Sequence, residues 1–188
     1  MKVRPDYSRA NAKRGIRNDI VVIAAIILVP AIWLVGREVY SRGKERERVF
    51  QSNIAFCRSN ITELYGILKA YTSSHGGQFP DSLQELIASG VLTDTHLLLC
   101  PNSSDVAAEG ATTQSLVQDA QKPGRVSYIY AGKGLTENSP AESVLLFEPA
   151  GNHPGAGGHV LQVDGRVRFL PPAELKALTA RVGASRGE

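Results

Sequence analysis

Five side chains able to bind cations or handle protons crowd one glycine-rich stretch: Glu148, Asn152, His153, His159 and Asp164, set around Gly151, Gly155, Gly157 and Gly158. Carboxylate, amide and imidazole groups could hold a cation there. Imidazole favours zinc or copper over calcium. The alternative is a set of hydrogen-bonded turn residues, and that reading is preferred. No cofactor and no metal ligand is therefore expected, with His153, His159 and Asp164 as the weak metal candidates. The only two cysteines are Cys57 and Cys100. An even pair in an oxidising compartment suggests a disulfide, and closing a loop of about 44 residues would stabilise by roughly 4 kcal/mol. The alternative is two buried thiols. A zinc site is not expected with the cysteines 43 residues apart and no close histidine partner.

Catalytic signatures are lacking. The Gly-rich stretch precedes a strand, whereas a phosphate cradle needs a helix N-terminus. The sequence holds no nucleophile elbow and no His-Glu-x-x-His helix, and Ser, His and Asp recur without a triad spacing. The expected class is not an enzyme.

The elements that would position these groups follow from pattern. Phe50, Ile54, Cys57, Ile61, Leu64, Leu68 and Tyr71 recur at alternating steps of four and three, one seam of a helix over about 38–74. The seam fits a coiled coil or a helix covering a sheet, and the strands that follow favour the sheet. His75-Gly76-Gly77 ends the helix. Asp81 is expected to cap a short helix whose buried side is Leu83, Leu86 and Ile87. Residues 102–124, rich in Ser, Ala, Gln, Thr and Gly, read as a loop. Strands are expected at 126–131, with Tyr128 and Tyr130 on one face, and at 143–148. Residues 160–170 read as a hairpin turning at Asp164-Gly165. Of its two registers, a three-residue loop with left-handed Gly165 pairs Leu161 with Val167 and keeps apolar residues together, so it is preferred. A terminal helix is expected over 171–182.

Ahead of the seam, Ile20 to Gly36 is an uncharged run of 17 residues between Asp19 and Arg37. It is read as a transmembrane helix near the lower length limit, about 25 Å, with Trp33 at its interface and a tolerated Pro30. A cleaved signal peptide is disfavoured because charge follows the run directly. The net charge of +3 belongs to the tail 1–19, which holds six Lys/Arg against two Asp. The folded part is not basic, and nucleic-acid binding is not expected. The domains read as a basic tail or leader (1–19), a transmembrane helix (20–36) and an α+β head (37–188). Basic residues on both sides of the run leave orientation from charge close to even.

Lys13-Arg14-Gly15 before an apolar helix resembles the cleavage site of type IV prepilins and type II secretion pseudopilins. Arg17, Asn18 and the early position of Asp19 depart from that pattern. A second resemblance runs through Cys57-Arg58-Ser59-Asn60, His75-Gly76-Gly77-Gln78-Phe79-Pro80 and Cys100-Pro101. A third lies in Ser127-Tyr128 and in His153 to Val167, which is similar to an H-x-G-G-x-N-V-L-F-x-D-G-H-V ending, with His159, Gln162 and Arg166 at variant positions. The resemblance implies a pilin-like fold, a long helix on a small antiparallel sheet. It implies leader cleavage between Gly15 and Ile16, and an assembly role for Asp19 in neutralising a neighbour's N-terminal amine. The implied function is a structural component of a secretion or pilus-type envelope complex. The implied location is a single pass of the bacterial inner membrane with the C-terminal head extracytoplasmic. Its partners would be membrane lipid and other pseudopilin-like or membrane-complex subunits. The alternative is a stand-alone anchored accessory subunit of another membrane complex.

Overall fold

A computed structural model describes the backbone of residues 7–186 and the side chains of residues 22, 24 and 26–184. Helix α1 (Tyr7–Ser74) is followed by α2 (Leu83–Ala88), a 3-10 turn (Thr95–Leu98) and α3 (Thr113–Ala120). Strands β1 (Ile129–Tyr130), β2 (Val144–Phe147), β3 (Gly158–Gln162) and β4 (Val167–Leu170) come next, and α4 (Pro172–Arg186) ends the chain. The four strands form one antiparallel sheet in sequence order. The architecture is α+β, with a long N-terminal helix and a small sheet. Two compact units, Met1–Val49 and Phe50–Glu188, meet within α1.

In the second unit the 4-3 spacing does what periodicity requires. Cys57, Ile61, Leu64, Leu68 and Tyr71 are buried along one seam. Ile61, Leu64, Leu68 and Tyr71 share a core with Leu83, Leu86 and Ile87 of α2, with Tyr128 and Tyr130, and with Leu145, Leu146 and Leu161 of the sheet. A bulge serves this core. Val144 pairs with Gln162 and Leu146 with Leu161, so Leu145 is the extra residue. The bulge lets consecutive leucines join one core while Phe147 faces the other. That smaller core is Phe147, Val160, Leu175 and Leu178, closed by α4.

Helix α1 stops at Ser74, and Gly76 and Gly77 follow with φ of 62° and 81°. The hairpin adopts the expected register, with Leu161 opposite Val167 and Gly165 at φ 82°. Gly165 is fixed twice over. A Cβ there would lie 2.5 Å from Cε1 of Tyr65, whose hydroxyl donates to the Val163 carbonyl at 3.1 Å.

Three expectations are corrected. The cap of α2 is Ser82, one residue later than Asp81. The Glu85 carboxylate then reaches back to the Asp81 N–H at 2.8 Å. The stretch 102–124 is not all loop, because α3 lies within it. A capping box starts α3: Thr112 Oγ1 accepts from Ser115 N, and Ser115 Oγ accepts from Thr112 N. Serine stands in for the usual Glu or Gln, which hides the signature. Third, among the described residues no helix is long and apolar enough to cross a membrane, which overturns the expected single-pass inner-membrane location. The uncharged run stops at 17 residues, and about 25 Å of helix falls short of a hydrocarbon core roughly 30 Å thick. Asp19, Gly15 and Ile16 lie outside the residues whose side chains are described, as do Ile20, Val21, Ile23 and Ala25 of the run.

Asp119 ties α3 to its flanks. Its carboxylate accepts from Lys122 Nζ at 2.8 Å and from the Glu109 N–H at 3.0 Å, and pairs with Arg125 at 3.0 Å. The Lys122 hydrogen bond, then the Glu109 N–H, holds this carboxyl below its ordinary 3.8. A depressed carboxyl adds stability above its unfolded value and loses it as pH falls through the folded one. Asp119→Asn is expected to lower the urea midpoint at neutral pH and to flatten the loss of stability below pH 3.8. Gly165→Ala is expected to cost about 1–2 kcal/mol from its left-handed backbone alone, and more from the Tyr65 ring, as read by denaturant unfolding.

Candidate functional site

The glycine-rich loop, the end of β2, the segment after the 3-10 turn and the middle of α1 converge on one buried point. Each contributes for a local reason. On α1, Asn53, Cys57 and Asn60 stand at steps of four and three, so they face one way. They meet the 99–102 segment. Asn60 Nδ2 donates to the Leu99 carbonyl at 3.1 Å, and Asn53 Nδ2 to Asn102 Oδ1 at 2.7 Å. Tyr128 also donates to Leu99 O, at 3.1 Å. Cys100 is thereby brought to Cys57, with the sulfurs 2.7 Å apart and both thiols free.

The loop after β2 supplies the rest. Asn152 N–H donates to Pro149 O, and Asn152 Nδ2 to the buried Ser127 carbonyl at 2.9 Å. This turn aims His153 inward. The chain then doubles back through Gly157 (φ 119°), where a Cβ would lie 2.0 Å from the Leu170 carbonyl oxygen. Only glycine passes there, and the passage sets His159 beside Glu148.

Glu148 is the hub. Its Oε2 accepts from His159 N–H and pairs with His159 Nδ1, each at 2.7 Å. Its Oε1 lies 3.1 Å from His153 Nε2. That nitrogen is also 3.5 Å from Cys100 Sγ, while His153 Nδ1 lies 2.8 Å from the Asn102 amide. Cys57, Glu148 and His153 have no exposed surface, and Cys100 has 2%. Phe50 and Phe169 pack edge-on or tilted against the His153 ring. A buried charge survives only with partners, and the shifts follow. Burial alone would raise the Glu148 carboxyl, but hydrogen bonds from His153 and His159 outweigh it and hold it at about 2. Burial would lower His153, yet Cys100 and Glu148 raise it to about 9. The Cys57 thiol beside Cys100 brings that cysteine down to about 6, with His153 adding to the effect, and Cys57 itself is pushed up.

Of the residues singled out in sequence, the fold brings together Cys57, Cys100, Glu148, His153 and His159. Asp164 is elsewhere, in the β3–β4 turn, where it accepts from the Arg166 N–H at 2.9 Å. Asn152 is a turn residue whose amide serves Ser127. Asn53 and Asn102 were not singled out, although the spacing of Asn53, Cys57 and Asn60 could have marked a polar stripe beside the apolar seam.

The chain matches no family model, no curated protein and no solved structure. The resemblance to pilins therefore rests on its own motifs.

With every group buried, the cluster is closed to a substrate. It can hold charge, protons or an ion. Glu148→Ala would leave two imidazoles without their shared acceptor, and is expected to destabilise the domain by about 3–5 kcal/mol in urea unfolding. Glu148→Gln, which keeps one oxygen acceptor, is expected to cost less.

Proposed function

We propose that this chain is a pilin-like structural subunit that assembles through the N-terminal part of α1, as a component of a secretion or pilus-type complex. One observation carries the reading. Between Val22 and Val35 the helix exposes large apolar side chains on every side. Ile26, Ile27, Leu28 and Val29 are consecutive, about 100° apart around the axis, and each is more than half exposed, as are Ile32, Trp33 and Leu34. A helix that is apolar all round is a buried helix. Burying one such side chain is worth roughly 1.5–3 kcal/mol, so packing against helices of other subunits is strongly favoured. Further along, charge returns, with Arg42 paired to Glu38 and Arg48 to Glu45 on exposed positions. The apolar length is thus bounded and distinct from the seam that enters the head.

Three further features support the pilin-like reading. They are the long helix seated by one seam, the small antiparallel sheet that follows it, and the Gln78-Phe79-Pro80 turn. That turn is built in by Phe79 N–H to Leu135 O and by Tyr130 Oη to Pro80 O at 2.7 Å. The head then serves partner contacts and no catalysis.

A photo-crosslinking residue placed at Val22 or Ile26 of the full chain in its native cells is expected to trap discrete adducts with helices of like or partner subunits. Ile26→Glu combined with Ile32→Glu should abolish them while leaving the head's unfolding transition in place. Adducts with nothing but lipid or bulk protein, unchanged in the double variant, would remove the assembly role.

A further inference from the structure

We propose that Cys57, Cys100, His153 and Glu148 form a structural zinc site that locks α1 to the sheet.

The donor atoms come from four separate segments and all lie within 4.8 Å of one another. Two sulfurs, one imidazole nitrogen and one carboxylate oxygen make a tetrahedral set that suits zinc. The sulfurs exclude calcium and magnesium, and the carboxylate disfavours copper(I). With zinc at about 2.3 Å from sulfur and about 2.0–2.1 Å from nitrogen and oxygen, the tetrahedron's edges are roughly 3.5 Å for sulfur–nitrogen and 3.3 Å for nitrogen–oxygen. The Cys100 Sγ to His153 Nε2 distance is 3.5 Å, and His153 Nε2 to Glu148 Oε1 is 3.1 Å. The sulfur pair, at 2.7 Å, opens to roughly 3.8 Å around the ion.

The surroundings are those of a ligand set. The second carboxylate oxygen, Oε2, is pinned by both the N–H and Nδ1 of His159, which leaves Oε1 turned toward the thiols. The far nitrogen of His153 faces the Asn102 amide. An outer partner of this kind fixes the tautomer of a metal-bound histidine. With Nε2 on zinc, Nδ1 carries the proton and donates to Asn102 Oδ1, which a half-turn of that amide presents. Asn53 turns with it, so its oxygen receives the Asn102 amide N–H.

Protons and charge balance. Both cysteines bind as thiolates, Glu148 as a carboxylate and His153 as a neutral imidazole through Nε2, and any proton these donor atoms carry leaves to solvent as zinc enters. A disulfide would use the sulfurs alone, and would leave Glu148 Oε1 and His153 Nε2 paired with each other at 3.1 Å beside it.

The test is titration of the full chain, reduced and stripped with a chelator, first with cobalt(II) and then with zinc(II). The expected result is saturation at one cobalt per chain, with the thiolate-to-cobalt charge-transfer absorption and the intense visible bands of a tetrahedral site, all abolished by zinc. Cys57→Ser and His153→Ala should each lose the tetrahedral two-thiolate spectrum. Asn102→Ala, which keeps every ligand, should weaken zinc binding by about 10–100-fold. Absence of these bands in a folded wild-type chain whose two thiols both react with Ellman's reagent would overturn the site. So would a chain from native cells, opened without reductant, that is lighter by two hydrogens and links Cys57 to Cys100.

Discussion

A carboxylate with no exposed surface constrains everything around it. Glu148 closes β2, and its two oxygens look in different directions, one to His159 on β3 and one to His153 in the loop between. Ionised and buried, it is tolerable only while both imidazoles are in place. That demand fixes the path of the loop, including the turn at Asn152 and the passage through Gly157. Through His153 it reaches Cys100 and Asn102, and so α1. The apolar seam supplies most of the burial, but a smooth seam lets a helix slide along a sheet. The polar contacts at Asn53, Cys57 and Asn60 define where along its axis the helix stops.

The same helix faces two different physical situations. From Cys57 to Tyr71 it buries one side and wets the other, as a helix on a sheet does. From Val22 to Val35 its described side chains are apolar on every side. The charged stretch 42–48 divides them. The seam that folds the second unit therefore lies in one half of α1 and the exposed apolar run in the other, so substitutions in one half need not disturb the other.

Much of this was legible in the sequence, because it rested on periodicity or on single-residue stereochemistry. The 4-3 seam, the glycine stop after Ser74, the hairpin register at Gly165 and the buried faces of α2 are of that kind. The start of α3 was hidden because Ser115 does the work usually given to a carboxylate or amide. The membrane reading gave too much weight to hydropathy over a run too short for it. The site was half visible. Cys57 and Cys100 were paired, and Glu148, His153 and His159 were grouped, but as two separate clusters. Joining them needs the doubling back of the loop after β2, a tertiary event with no local signature. Asp164 was drawn into the group by nearness in sequence, yet the hairpin carries it to the far end of β3.

The sheet's margins bear on strand pairing between copies of the chain. One outer strand, β1, is only two residues long. The other, β4, runs four residues and is cut off by Pro171 and Pro172, whose nitrogens have no hydrogen to offer a further strand. Arg168 lies exposed in its middle. Short, charged and proline-stopped edges discourage strand-to-strand stacking. Growth of this protein by continuing its sheet from copy to copy, the route to amyloid-like ribbons, is disfavoured at both borders.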